Sequence, residues 1–341
     1  MSRVTGHATA KATGFRMPAE WETHARCWMQ WPHRDDFIWP DLGRTQAAYA
    51  NVAKTIRRFE PVTLVVCEPA LADAQALCGS GIDYFVAPLD DSWARDSGPT
   101  FLKSGAELAA SVFQFNAWGG KYESCRHDAA LGHRIAEALG VRTFSADLYL
   151  EGGAIAVDGE GTILTSEQCI LNANRNPGLT KPEAERLLCE ALGGEQVLWV
   201  PGDPEDGETD GHIDALACFA KPGVVLCAVG PQALPERRRC LAENWRALAA
   251  AADAKGRSLE LVPIEEAHDA QATSDIYCRS YVNFYIANGG IVFPSFGTDT
   301  DRAAQETVRN LFPNRVLAPV DVADIAPGGG GVHCITQQQP A

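Results

Sequence analysis

A pattern of strand, strand, helix and strand recurs along this chain, and that recurrence constrains the fold more than any single residue does. Apolar runs at 100–102 and 111–115 precede a helical pattern over 124–139 and a strand at 142–144. The same order follows at 154–157, 162–165, a helix from Thr180 and a strand at 196–200. Thr180 and Glu183 there have capping-box spacing, with Pro182 in the first turn. Two further units run from 213 to 262 and from 280 to 318. Helix starts near 124, 180, 235 and 300 lie roughly 55 to 65 residues apart, a period that marks a repeated supersecondary unit. The tight turn Asp158-Gly-Glu-Gly161 makes its flanking strands antiparallel, which disfavours a doubly wound parallel sheet. A fifth unit must combine the two ends: 332–336 is expected to pair with 27–31, followed by a helix from Gly43 and a strand at 62–67. Residues 1–14 read as a flexible tail and 15–341 as one α/β domain.

A ring of five such units brings equivalent loops together. The loops are 90–99, 116–122, 151–153, 203–214 and 328–334, each rich in Gly, Asp, Glu or Trp. The last is Gly328-Gly-Gly-Gly-Val-His-Cys334, whose glycines let the backbone reach φ > 0 and approach a ligand closely. The following 332–336 reads as a short apolar strand holding Cys334 beside that turn. A free cysteine usually serves as a small buried hydrophobe. The ten others sit mostly in apolar or helical contexts, and the glycine run is what singles out Cys334 as a candidate nucleophile.

Composition narrows the function classes. No run approaches the ~18 apolar residues of a membrane span, and the first ten residues lack the apolar core of a secretory signal. Eleven cysteines without a Cys-x-x-Cys pair argue against a disulfide framework and for a reducing cytoplasm. The eight histidines show no metal-ligand spacing, so neither a metal nor another cofactor is expected. A net charge of −15 disfavours nucleic acid and suits a cationic ligand, with plain solubility as the open alternative.

Two acidic stretches carry the chemistry. Asp206-Gly-Glu-Thr-Asp-Gly-His212-Ile-Asp214 places acids on both sides of a histidine, which favours imidazolium, unless the stretch is only a solvated turn. Asp90-Asp-Ser-Trp-Ala-Arg-Asp96 joins carboxylates to an indole, a set that suits a planar cation. Further motifs are Met17-Pro-Ala-Glu-Trp21, Phe115-Asn-Ala-Trp-Gly-Gly-Lys-Tyr122, Glu151-Gly-Gly153, Asn172-Ala-Asn-Arg-Asn-Pro177, Ser280-Tyr-Val-Asn-Phe-Tyr285 and Gly329-Gly-Gly-Val-His-Cys-Ile-Thr-Gln-Gln338. In this order, over nearly the whole chain, they resemble the agmatine deiminase branch of the guanidino-group-modifying superfamily. Ala215 and the pair Gly331-Val332 depart from that pattern without removing a reactive group.

The resemblance implies a five-bladed α/β propeller, its first blade closed by both chain termini. It also implies a hydrolase that converts agmatine to N-carbamoylputrescine and ammonia through a thiouronium adduct on Cys334, a step toward putrescine and other polyamines. Asp96 and Asp214 would hold the guanidinium, His212 would act as general acid and base, and Glu151 would orient it. Trp93 and Trp118 would wall the aliphatic chain, Gly330 would border the ligand, and Asp90 or Glu208 would meet the distal amine. The expected partner is a small cationic guanidino compound, with a homodimer admitted. Deimination of arginine or peptidyl-arginine is the alternative, and a non-catalytic binding propeller and a Cys-His amidase are rivals. Arg95 and Lys121 are the basic residues in the candidate loops, and Arg95 is expected to pair with a neighbouring acid.

Overall fold

Five sheets organise residues 8–34, 39 and 41–341, the part of the chain that this computed structural model describes. The first sheet contains β1 (His24–Gln30), β2 (Val62–Val66) and β3 (Asp83–Val86). Helices α1 (Leu42–Arg57) and α2 (Leu71–Cys78) supply its crossovers, and both neighbouring pairs are therefore parallel. The second sheet has β4 (Thr100–Ser104), β5 (Glu107–Gln114) and β6 (Arg142–Tyr149) around α3 (Leu131–Leu139). The third has β7 (Ile155–Val157), β8 (Thr162–Ser166) and β9 (Gln196–Val200) around α4 (Lys181–Leu192). The fourth has β10 (Ala217–Lys221), β11 (Val224–Val229) and β12 (Glu260–Glu265) around α5 (Pro235–Ala249). The fifth has β13 (Tyr285–Ala287), β14 (Gly290–Ser295) and β15 (Val316–Asp321) around α6 (Thr300–Leu311).

In each of these four sheets the first two strands pair antiparallel and the third joins parallel across its helix. The reason is local: a short turn reverses the chain, whereas a helix returns it to the same end. The Thr180 and Glu183 capping box forms at the start of α4 as its spacing predicts. Middle strands are buried on both faces, with Leu64, Ala110, Leu164, Leu226 and Val292 fully inaccessible. Among the described residues no helix is long and apolar enough to cross a membrane.

The chain ends meet as expected, but in a different register. The last strand, β16, is Thr336–Pro340 and pairs antiparallel with β1, giving the order β16-β1-β2-β3. Residues 332–335 form a turn, so Cys334 precedes the strand instead of lying in it. The polar run Thr336-Gln-Gln-Gln339 is the buried strand because its side chains find partners inside. Gln337 accepts from Arg95 Nη1 at 2.7 Å and donates to the Pro99 carbonyl, and Gln339 accepts from Trp28 Nε1.

The helix expected over 124–139 is also divided, into a turn at Arg126–Ala129 and α3. Asp90 caps the turn, accepting from Ser124 Oγ and His127 N, and Asp128 returns its carboxylate to the Asp90 and Asp91 amides. Of the expected tail, residues 1–7 lie outside the described ones. Ala10 is fully buried, Lys11–Thr13 forms a helical turn, and Lys11 Nζ donates to the Gly194 carbonyl.

Candidate active site

The turns that lead into β4, β7, β10, β13 and β16 bear the chemical groups. Asp96 lies on the turn Ala94–Ser97, and Glu151 precedes the turn Gly152–Ala154. His212 and Asp214 flank the start of the turn Ile213–Ala215, and Cys334 lies just before β16. The remaining first strand, β13, is preceded by Asn283, which the sequence reading did not single out. It reaches the thiol: Asn283 Nδ2 lies 3.1 Å from Cys334 Sγ. Its Oδ1 accepts from the His333 and Cys334 amides, and the Cys334 carbonyl accepts from Arg95 N. The positional repeat among the five turns was the signal that could have found it.

The thiol is buried and 3.5 Å from Asp214 Oδ2. Burial, followed by the charges of Asp214 and Asp96, pushes Cys334 well above the usual thiol range. His212 has the opposite balance. Burial opposes its charge, yet Asp96, Cys169 and Glu151 outweigh that and hold the imidazole protonated well above its ordinary range. Its Nε2 lies 3.3 Å from Glu151 Oε2, and Arg175 Nε fixes both Glu151 oxygens at 2.9 Å. Its Nδ1 lies 3.9 Å from Asp96 Oδ1 and has no hydrogen-bond partner. A donor nitrogen, a thiol and two carboxylates thus border one space. Gly153 forms its floor: a Cβ there would stand 2.6 Å from His212 Nδ1 and 3.0 Å from both Asp214 Oδ2 and Asp96 Oδ1. No side chain other than hydrogen fits.

Trp118 reaches into the site by a strained route. Ala117 and Trp118 both have left-handed backbones, φ 55° and 53°, which L-residues adopt at a cost of ~1–2 kcal/mol each. The return is a 2.9 Å bond from Trp118 Nε1 to Asp96 Oδ2, with the indole edge-on to Phe115 and Tyr122. Trp93 closes another side. A Cβ on Gly330 would lie 2.4 Å from the Trp93 ring and 3.0 Å from Cys334 Cβ, so this glycine is required by close packing.

Farther out, the expected amine-binding acids divide. Glu208 accepts from Tyr122 Oη at 2.6 Å, and its carboxyl is raised by burial, with Asp206 adding to the effect. Asp90 does not join it, because its oxygens cap the 126–129 turn. Its neighbour Asp91 accepts from Ser92 N at 2.7 Å; burial pushes this carboxyl up to about 7, and the nearby charge of Glu208 adds to the rise. Arg34, outside the loops first considered, donates to the Asp90 carbonyl and bears on Asp91. Arg95 faces inward, bonded to Gln337 and 3.5 Å from Glu20, while Lys121 Nζ donates to Asp210 and the Glu208 carbonyl. Among the described residues Glu151, Cys169 and His212 bring three ligand-type atoms within 4.8 Å of one another. Arg175 already holds its cation against that carboxylate, leaving little incentive for a metal ion.

The sequence profile of the Porphyromonas-type peptidyl-arginine deiminases matches residues 16–340. The chain belongs to this family. Within the family's reach, an agmatine deiminase of Pseudomonas aeruginosa (strain LESB58) is 41% identical over 361 residues, covering 98% of each chain. The solved agmatine deiminase of Enterococcus faecalis superposes with a TM-score of 0.94 at 34% identity over 99% of both chains. A cysteine-to-serine variant of the Campylobacter jejuni agmatine deiminase, solved with substrate bound, gives 0.86 at 25% identity over 96% of both. The α/β fold extends to a more distant protein, the DDAH of Pseudomonas aeruginosa, at 13% identity and a TM-score of 0.51.

Proposed function

We propose that this deiminase-family chain hydrolyses agmatine to N-carbamoylputrescine and ammonia through a thiouronium adduct on Cys334. The observation that carries the reading is the space above Gly153, bordered by Asp214, Asp96 and the unpartnered Nδ1 of His212, with the Cys334 thiol 3.5 Å from Asp214. A guanidinium is planar and cationic, and two buried carboxylates match its edges with charge-assisted bonds. Its arrival neutralises the charges that hold the thiol protonated, so substrate binding itself favours the thiolate.

The thiolate then attacks the guanidinium carbon to form a C–S bond and a tetrahedral adduct. His212 gives its Nδ1 proton to the departing nitrogen, the C–N bond breaks, and ammonia leaves a thiouronium. Water attacks that carbon, His212 takes one proton back, and the C–S bond breaks to release the thiolate and a protonated urea, which gives its remaining proton to solvent. Glu151, held by Arg175, keeps His212 oriented throughout. Trp93 and Trp118 flank the methylene chain, and Glu208 with Asp91 receives the distal ammonium.

The five turns meet if the five sheets form one ring, a five-bladed α/β propeller spanning 15–341 whose first blade the two termini close. The pairing of β16 with β1 supports that closure. A reducing cytoplasm fits the eleven unpaired cysteines, and a homodimer is read directly by sedimentation. The deciding experiment measures ammonia and urea-type product from agmatine, arginine, a short arginyl peptide and a neutral amide. Agmatine turnover by the parent and none by Cys334→Ala is expected. Turnover by Cys334→Ala, or of the amide alone, would sink the reading.

A further inference from the structure

His333, next to the nucleophile in sequence, has no role in the steps above, yet each of its ring nitrogens meets a carboxylate. Its Nδ1 lies 2.8 Å from Asp214 Oδ2 and its Nε2 2.8 Å from Glu20 Oε1. A neutral imidazole has one N–H and one lone pair. With a carboxylate oxygen at hydrogen-bond distance from each nitrogen, a neutral ring would set lone pair against lone pair at one of them. The ring therefore carries both protons and bridges two anions.

We propose that His333 is a positioning residue, a fixed imidazolium that keeps Asp214 ionised and aimed at the substrate guanidinium. The inference rests on the reading of Asp214 as a guanidinium-binding acid. The need for such a cation follows from the slot itself. Asp214 and Asp96 are both buried beside the Cys334 thiol, and two carboxylates in one dry site cannot both keep their charge cheaply. Asp96 is pushed up by burial despite His212, and Asp214 is held below the ordinary range because His333, with His212 and Arg95 behind it, outweighs its burial. His333 thus offsets, at Asp214, the burial and the mutual repulsion that both acids face.

The groups facing this pair are few. His333 meets Asp214, Glu20 and the opposing charge of Arg95. Glu20 faces His333, Arg95 and, less closely, His24 and Cys218, and its carboxyl is brought down to about 2 even though burial opposes it. Asp214 faces His333, His212, Arg95 and the thiols of Cys334, Cys218 and Cys278, with Asp96 across the slot.

Calorimetric binding of agmatine to Cys334→Ser protein, with and without His333→Gln, tests the proposal between pH 5.5 and 8.5. Loss of the imidazolium is expected to weaken binding at least tenfold at the acid end. The gap should close as pH rises and Asp214 regains its charge. A gap that is constant with pH, or absent, overturns the proposal. In otherwise native enzyme the acid limb of kcat/KM is expected to move up by about one pH unit, with KM carrying the change. Glu20→Gln should produce a smaller displacement in the same direction by loosening the second proton of His333, and it serves if His333→Gln does not fold. An unmoved acid limb in Glu20→Gln also overturns the proposal. Asp214→Asn separates the two claims: agmatine binding unchanged by that substitution removes the guanidinium reading itself. Binding lost in Asp214→Asn but unaltered in His333→Gln removes only the role of His333.

Discussion

Burial and two neighbouring carboxylates keep the Cys334 thiol neutral until a cation arrives. Inactivation of the free protein by iodoacetamide is therefore expected to be slow at pH 7, with an apparent pKa above the usual thiol value of ~8.5. A value near 7 would mean that the thiolate pre-exists and that substrate does not activate it. His212 leads to the opposite limb. Its protonated form is the acid, and its raised pKa keeps that form abundant through neutral pH, so kcat is expected to fall only when pH rises past the ordinary histidine range. On the proposed reading, the adjacent acids Asp90 and Asp91 separate capping from binding. Asp91→Asn is expected to raise KM for agmatine about tenfold or more, the cost of one lost charge-assisted bond. Because burial sets Asp91 near pH 7, the anion forms as pH rises through that value, and the parent KM should fall between pH 6 and 8. Asp90→Asn should leave KM alone and lower stability by ~1–2 kcal/mol, the usual price of a lost cap, as read by denaturant melts.

At the scale of elements, the first and fifth sheets are joined by a buried polar cluster. Glu60, just before β2, accepts from Tyr285 Oη at 2.5 Å and from the Asn288 amide, and its carboxylate also meets His24 Nδ1 at 3.2 Å. Glu60→Ala would leave two buried side chains and the half-buried Asn288 amide without their acceptor, and a loss of ~3–5 kcal/mol is expected. Chemical denaturation checks this, and a loss below ~1 kcal/mol would show that the cluster is expendable. The α4 cap offers a contrast. Thr180 is exposed and its bonds are local, so Thr180→Ala is expected to cost ~1 kcal/mol with unchanged turnover.

For the molecule as a whole, the charge of −15 and the acidic mouth favour a dication over a zwitterion. Agmatine is expected to exceed arginine at least ~100-fold in kcat/KM, since every ~1.4 kcal/mol is tenfold and an unpaired buried carboxylate costs several kcal/mol. Arg95 does not weaken this argument, because it points inward to Gln337 and Glu20. Arg34 is the cation beside Asp91. Steady-state kinetics on both substrates, with the parent and Arg34→Ala, decide the point: comparable efficiency on arginine in the parent sinks the specificity claim, and its loss in Arg34→Ala would name the residue responsible.

Local chemistry was legible along the chain. The turn at 158–161, the Thr180 cap and the alternation of short turns with helices depend on neighbours a few residues apart, so the repeat of strand, strand, helix and strand, and the antiparallel direction across a tight turn, could be read from residue types. The glycine run and the acids around His212 likewise marked the reactive loops. Competition among distant partners decided the rest. Asp90 caps the turn at 126–129, with Asp128 taking its amide and that of Asp91, while the Asp91 carboxyl feels the charge of Glu208. A polar run became the last buried strand because Arg95, Pro99 and Trp28 satisfy its glutamines. Asn283 and His333 carry no local signature, since their partners are Cys334, Asp214 and Glu20, and only folding brings these carboxylates and the thiol to the same buried atoms.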